Sequence, residues 1–375
     1  MWKICEQYVT DVIKGRKQGL TSTCVKSGLW FASLAYAMGA RTHHWTYDNA
    51  WRRRYFPPVP TVISVGNIVA GGTGKTPLVI KLASALCRDL SVAVLTRGYR
   101  SPAENLSAPV TLSQGKGPVY PSSYCGDEPY MIAETLPELS VYVGKDRCKS
   151  SKTAARNGAD VIILDDGMQY RSLARDLEIV IVDGTNPLGH GYYLPRGLLR
   201  ETPYNLKRAH LIVINNVHEQ EDYHIAQSIL SRYTTAPTVG THPYITAISD
   251  LQGNKVYSVQ GKKIAFFCGL ANPDHFRSLL TSAGAEIIDA YITPDHTLPN
   301  PHKLKQFATE SAKRGAEYLV CTEKDRVKIQ ESIDVPIPIL WVRIELKLIF
   351  GEEIWTENVS KIRDKILKIP RHQGA

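Results

Sequence analysis

From residue 61 onward the chain alternates short apolar runs with amphipathic stretches. The runs TVISVGN (61–67), SVAVLTRG (91–98), DVIILDDG (160–167), LEIVIVDG (177–184) and HLIVINN (210–216) are rich in Val and Ile at consecutive positions. Consecutive apolar positions mark strands buried on both faces, as in a parallel sheet covered by helices on both sides. Helical stretches such as PLVIKLASALCRDL (77–90) lie between some of them. The pattern predicts an α/β fold with a doubly wound, mostly parallel sheet. After about residue 240 a second set follows: KIAFFCGL (263–270), EIIDAYI (286–292), EYLVCTEKD (317–325) and PILWVRIEL (338–346), alternating with HFRSLLTSAG and KLKQFATESAKRG. These predict a second, smaller α/β domain, with a boundary at 235–260 where polar and turn residues cluster. The expected organisation is 1–60 as an N-terminal helical segment, 61–240 as the core and 241–335 as the smaller domain. Residues 336–375 would be a strand and a basic helix that returns to the core.

Residues 1–60 are patterned differently. Gly28–Ala40 reads GLWFASLAYAMGA, preceded by Lys14, Arg16, Lys17 and Lys26 and followed by Arg41, Trp45, Trp51 and Arg52–Arg54. The run is shorter than the ~20 residues that span a bilayer. An apolar run flanked by aromatic and basic residues fits a helix lying in a membrane interface; packing on the body of the protein is the alternative. Pro57, Pro58 and Pro60 then separate this segment from the first strand.

Composition narrows the class. Of 375 residues, 43% are hydrophobic and 22% charged, which excludes disordered and fibrous chains. No stretch reaches the ~18 uncharged apolar residues of a spanning helix, which argues against a channel or transporter. The seven cysteines are scattered without a CxxC pair, and the N-terminus lacks a leader pattern, so a reducing cytoplasm is expected. The net charge of +9 points to an anionic partner: a phosphorylated substrate, an anionic lipid surface or nucleic acid. The basic residues are not interleaved with aromatics and no nucleic-acid module is present, so nucleic acid is not expected. Nothing implies an obligate protein partner.

The strongest motif is Val69-Ala70-Gly71-Gly72-Thr73-Gly74-Lys75-Thr76, between the strand TVISVGN and a helix. Its glycines let backbone N–H groups converge on phosphate oxygens, Lys75 reaches the β- and γ-phosphates, and the Thr76 hydroxyl ligates Mg²⁺. The helix adds its positive end to the same site. The strict phosphate-loop pattern has glycine where this chain has Val69. Asp165 and Asp166 end another apolar strand, where a carboxylate sits beside such a loop and positions Mg²⁺; successive side chains point to opposite sides, so one of the two is expected to serve the metal. ATP and Mg²⁺ are therefore the expected cofactors.

GNIVAGGTGKTP (66–77), LTRGYR (95–100), GDEP (126–129), LDDGMQ (164–169), LPRGLLRE (194–201), GLANPDHF (269–276), PDH (294–296) and TEKD (322–325) follow one another in an order that resembles the tetraacyldisaccharide 4′-kinase family, the lipid A 4′-kinases of Gram-negative bacteria. The resemblance runs from the apolar segment to about Lys328. Met168, Tyr170, Arg196 and Thr297 depart from the family pattern. It implies a P-loop NTPase-like kinase that moves the γ-phosphate of ATP to the 4′-hydroxyl of an acylated glucosamine disaccharide 1-phosphate, at the cytoplasmic face of the bacterial inner membrane. It further implies Asp127 of GDEP as the base and His296 as its partner in a dyad, with Lys75 and Mg²⁺ neutralising the γ-phosphoryl. Asp295 would orient His296. Arg97, Arg100, Arg147 and Arg200 would divide between the ATP phosphates and the substrate's 1-phosphate, since a guanidinium grips phosphate through paired hydrogen bonds. Glu128 and Gln169 are secondary candidates for positioning metal or water. Lys324 and Asp325 either close over the nucleotide or cap their strand. The competing reading is a membrane-docked nucleotide switch of the partitioning or metal-insertion type, in which GDEP and PDH have no role.

Overall fold

The computed structural model describes residues 19–49, 51–294, 297, 299–329 and 333–368, together with Tyr8, Val12, Ile13 and Lys17. The first lobe holds β1 (Thr61–Gly66), β2 (Val92–Thr96), β3 (Val110–Gln114), β4 (Ser140–Val143), β5 (Val161–Asp165), β6 (Leu177–Asp183) and β7 (Leu211–Asn215). The second holds β8 (Thr238–Asp250), β9 (Lys263–Cys268), β10 (Glu286–Ile292), β11 (Tyr318–Thr322) and β12 (Ile339–Phe350). Among the described residues these make one 12-stranded sheet, ordered β10-β9-β11-β12-β8-β7-β6-β1-β5-β2-β4-β3. The β3·β4 and β8·β12 pairs are antiparallel and the remaining pairs parallel. Every residue of β1, β2, β5 and β7 is buried, as their unbroken apolar runs require.

The helices are α1 (Leu20–Asp48), α2 (Lys75–Leu86), α3 (Asp127–Thr135), α4 (Arg147–Arg156), α5 (Gln220–Leu230), α6 (Pro273–Ser282), α7 (Pro301–Lys313) and α8 (Glu352–Leu367), besides single turns. α2 seats Leu78, Leu82 and Leu86 at zero exposure against β1, β2 and β5. Truncating any one of these to Ala leaves a cavity costing about 2–5 kcal/mol. α8 contributes Trp355, Ile362 and Ile366 to this same cluster, so the chain's last helix packs on the first lobe.

A strand runs through the segment expected to be a boundary. β8 occupies 238–250, pairs along most of its length with β12 and, through Thr238–Gly240, with β7, and the β7·β8 pairing joins the two lobes' strands into one sheet. Its polar look has a physical cause. β8 is buried towards its two ends and exposed or half-buried at His242–Ala247, where it crosses from one lobe's helical cover to the other's. β3 and β4 carry no long apolar run, β3 reading VTLSQ with only its third and fourth residues buried and β4 only the four residues SVYV.

α1 divides into two parts. Its C-terminal turns dock: Tyr47 Oη and Ser172 Oγ share a hydrogen bond of 2.6 Å, and Arg171 Nη1 donates to Asp48 Oδ1 at 2.6 Å. Its outer face leaves Phe31 67% and Met38 68% exposed, with Leu34, Trp45 and nearby Trp51 also outside. Among the described residues no helix is long and apolar enough to cross a membrane.

Candidate active site

The phosphate loop leaves β1 and enters α2. Gly74 caps the helix with φ 96° and ψ 23°, left-handed backbone that favours glycine. The loop is tied down from three sides. Ala70 N–H donates to the Leu198 carbonyl (2.7 Å), Asn67 Nδ2 donates to Thr73 Oγ1 (3.0 Å), and Asn215 Nδ2, from the end of β7, donates to the Thr73 carbonyl (3.0 Å). Val69 is 3% exposed, bridges to Leu199 and packs in the cluster of Ile68, Met168 and Val182. The chain there needs a buried apolar side chain rather than the conformational freedom of glycine, which accounts for the departure from the strict motif.

β5 delivers Asp165 and Asp166 beside the loop, and the two carboxylates differ sharply. Asp166, at φ 52°, receives a forked pair from Arg200 (2.8 and 3.0 Å) and lies 3.7 Å from Lys75 Nζ. Burial alone would raise its pKa, but Lys75 and Arg200 hold it well below the usual carboxylate range. Asp165 is 4% exposed; Thr96 Oγ1 donates to its Oδ2 at 3.4 Å, and its Oδ1 has no hydrogen-bond partner among the described residues. Burial, with the Glu128 and Asp166 carboxylates adding, pushes its pKa up to about 7. A desolvated carboxylate with an orphaned oxygen, lining the same cavity as Thr76 at the start of α2, fits a divalent cation. Among the described residues no three His, Cys, Asp or Glu side chains converge as a metal site.

Asp127 opens α3 and is buried against the second lobe. Its Oδ2 lies 3.9 Å from Lys324 Nζ and 3.8 Å from Lys328 Nζ. Lys324 donates to Glu128 Oε1 at 2.8 Å, Lys328 to Asp325 Oδ1 at 3.0 Å, and Arg326 pairs with Glu134. The elements meet around a cavity of about 530 Å³ whose walls include Lys75, Thr76, Asp127, Asp165, Arg200 and Lys324. Asp295 and His296 lie outside the described residues, so the expected dyad is not defined by them.

The four arginines separate. Arg200 is spent on Asp166, and Arg97 Nε donates to Glu104 Oε1 at 2.5 Å while bordering the cavity. Arg100, at φ 61°, sits 5.2 Å from the Tyr99 ring centroid. Arg147 is 6% exposed at the start of α4, 5.0 Å from the Tyr170 ring, and donates to the Lys145 carbonyl. Of the departures from the family pattern, Met168 fills the core beside Gly66, where an added Cβ would come within 2.6 Å of Met168 Cβ; Tyr170 donates to Asp146 Oδ1 at 3.1 Å.

Sequence reading passed over Asn67, Asn215, Glu104, Glu201 and Lys328. Glu201, at zero exposure, accepts from Gln169 (2.8 Å), Asn205 (2.6 Å) and Arg208 (3.2 Å), and lies 3.8 Å from His44 of α1. Asn215 had a signal, since it ends an apolar strand as Asp165 does; Lys328 follows Asp325 at helical spacing.

Comparison with known proteins bears directly on this cleft. The family profile described as Tetraacyldisaccharide-1-P 4'-kinase matches residues 25–363. The chain is 37% identical over 324 residues to the Tetraacyldisaccharide 4'-kinase of Chlamydia abortus, covering 84% of this chain and 86% of that one. It is 40% identical over 318 residues to the Chlamydia pneumoniae protein of the same description, covering 84% of each. The crystal structure of LpxK from Aquifex aeolicus in complex with ATP superposes with a TM-score of 0.70 at 27% identity, covering 90% of this chain and 99% of that one.

Proposed function

The chain belongs to the tetraacyldisaccharide-1-P 4′-kinase family, and from that premise we propose how its cleft carries out the reaction. ATP is the phosphoryl donor, the 4′-hydroxyl of tetraacyldisaccharide 1-phosphate is the acceptor, and lipid IVA, on the route to lipid A, is the product. The nucleotide-switch alternative is not favoured, because the family match extends over nearly the whole chain.

The observation that carries the mechanism is that Asp127 and the phosphate loop line one cavity. The loop's N–H groups and Lys75 bind the β- and γ-phosphates. Asp127 orients the 4′-hydroxyl and takes its proton as the oxygen–phosphorus bond forms and the bond to the ADP oxygen breaks. Mg²⁺, when bound, neutralises charge on the β- and γ-phosphate oxygens. Thr76 and Asp165 would hold it, because Asp166 is already committed to Arg200 and Lys75. Arg147, buried at the start of α4, would meet an anionic group of the substrates, Arg97 on the cavity's border would do so by leaving Glu104, and His296 would assist Asp127 as the family resemblance implies. The exposed face of α1 supports a peripheral seat on the cytoplasmic side of the inner membrane, where the acylated acceptor resides.

The test is transfer of label from γ-labelled ATP to the tetraacyl disaccharide 1-phosphate in detergent micelles. Labelled lipid is expected from the wild type, and Asp127→Ala should slow its formation by roughly 10²–10⁴-fold. Label released only as inorganic phosphate would overturn the mechanism.

A further inference from the structure

Lys324 belongs to the second lobe, yet its side chain reaches across the cleft to Glu128 Oε1 (2.8 Å) and towards Asp127 Oδ2 (3.9 Å). The helical turn that carries it, Glu323–Arg326, is fixed. Thr322 Oγ1 accepts from the Asp325 N–H (3.2 Å) and donates to Asp325 Oδ2 (2.7 Å), Gly269 N–H donates to Asp325 Oδ1 (3.1 Å), and Arg343 Nε donates to Glu323 Oε1 (3.0 Å). Only the flexible four-carbon stem of Lys324 is left to move. Neighbouring cations are paired as Lys324 is, Lys328 with Asp325, Arg97 with Glu104 and Arg200 with Asp166. Lys324 and Lys75 thus face one cavity from opposite lobes.

The geometry of the transfer then constrains where Lys324 can go. A base must lie within hydrogen-bond reach of the attacking hydroxyl, and that oxygen stands about 3–3.5 Å from the phosphorus it attacks. An ammonium 3.9 Å from Asp127 Oδ2 is therefore within a rotation of its stem of the γ-phosphoryl oxygens. We propose that Lys324 is a second phosphate-binding lysine, which exchanges Glu128 for a γ-phosphate oxygen when ATP enters. The γ-phosphoryl is then held between Lys75 of the first lobe and Lys324 of the second. Negative charge spread over the equatorial oxygens in the transition state meets a cation on each side. The same exchange withdraws one positive charge from Asp127, leaving it a stronger base, while Lys328–Asp127 and Arg326–Glu134 continue to bridge the lobes.

The inference rests on the kinase reading for the place of the acceptor, but its test does not need the acceptor. Dissociation constants for ATP and for ADP, each with Mg²⁺, are measured by calorimetry on the full chain, its Lys324→Gln variant and its Lys324→Arg variant. Lys324→Gln should weaken ATP roughly tenfold or more, as loss of a charge-assisted hydrogen bond does, while ADP stays within about twofold. Lys324→Arg should keep ATP binding within roughly threefold, since it retains a cation of sufficient reach. Equal losses for ATP and ADP would show that Lys324 merely holds the lobes, and no loss for either would show that it never meets the phosphate; both overturn the proposal. Label transfer by the wild type with either result would sink Lys324 alone, whereas failed transfer with a selective ATP loss would sink only the acceptor assignment.

Discussion

Replacing Gly74 by alanine tests whether the phosphate loop is held in the shape that binds ATP. Alanine at φ 96° pays the left-handed penalty, about 1–2 kcal/mol. Its Cβ would also lie 2.5 Å from Asn215 Nδ2, closer than real contacts allow. That amide cannot yield freely, because it donates to the Thr73 carbonyl at 3.0 Å while its Oδ1 accepts from Thr241 Oγ1 at 3.0 Å. Losing these two hydrogen bonds costs about 1–2 kcal/mol more, for a total of about 2–4 kcal/mol. The sheet strands on either side are fully buried, whereas Gly71 and Gly72 are exposed, so the loop gives way first. The cost should therefore appear as weaker ATP binding, roughly 10²-fold at 1.4 kcal/mol per decade, with a small change in Tm. Calorimetric titration with ATP and a melting curve measure the two. Asn215→Ala forfeits the same two hydrogen bonds, so the double variant should bind ATP within about threefold of Gly74→Ala rather than with the two losses added. ATP binding within threefold of wild type in Gly74→Ala, or a double variant weaker than Gly74→Ala by the full loss seen in Asn215→Ala alone, would refute it.

Glu201→Ala should destabilise the chain by about 2–4 kcal/mol, because it strands the half-buried Arg208 and the amides of Gln169 and Asn205; a urea midpoint corresponding to less than about 1 kcal/mol would contradict this. His44 is kept neutral: burial, then the Arg171 and Arg208 cations, lower its pKa to about 4. Its folded value thus lies below the unfolded value of about 6.5, so its contribution to stability is full above that pH and is lost as pH falls towards 4. Urea midpoints between pH 7 and 5 should decline in wild type and decline less in His44→Gln; identical slopes would count against it. Phe31→Ser with Met38→Ser should abolish flotation with phospholipid vesicles while leaving Tm within a degree or two, since both side chains are mostly exposed; undiminished flotation would remove α1 from the membrane contact.

How much of the site could be read beforehand depended on the range of the interaction. The phosphate loop was legible because its function lies in consecutive backbone groups, so Gly71–Thr76 announce it without help from elsewhere. The buried strands β1, β2, β5, β6 and β7 were legible for a similar reason, since burial on both faces writes itself as unbroken Val and Ile. β8 was not, because a strand that passes between two helical layers carries the polarity of its surroundings rather than of a core.

Residue type alone could not rank Asp165 against Asp166, or Arg200 against Arg97 and Arg147. Their differences come from partners far along the chain: Arg200 on Asp166, Glu104 on Arg97, and an orphaned oxygen on Asp165. The meeting of Asp127 with Lys324 and Lys328 spans the two lobes, whose strands are joined where β7 pairs with β8. Sequence by itself determined the fold class, the triphosphate loop and the family. Which carboxylate is spent, which cation remains available and what faces the cavity were decided by tertiary structure, because Coulomb and hydrogen-bond energies depend on separations of a few ångströms that sequence spacing does not encode.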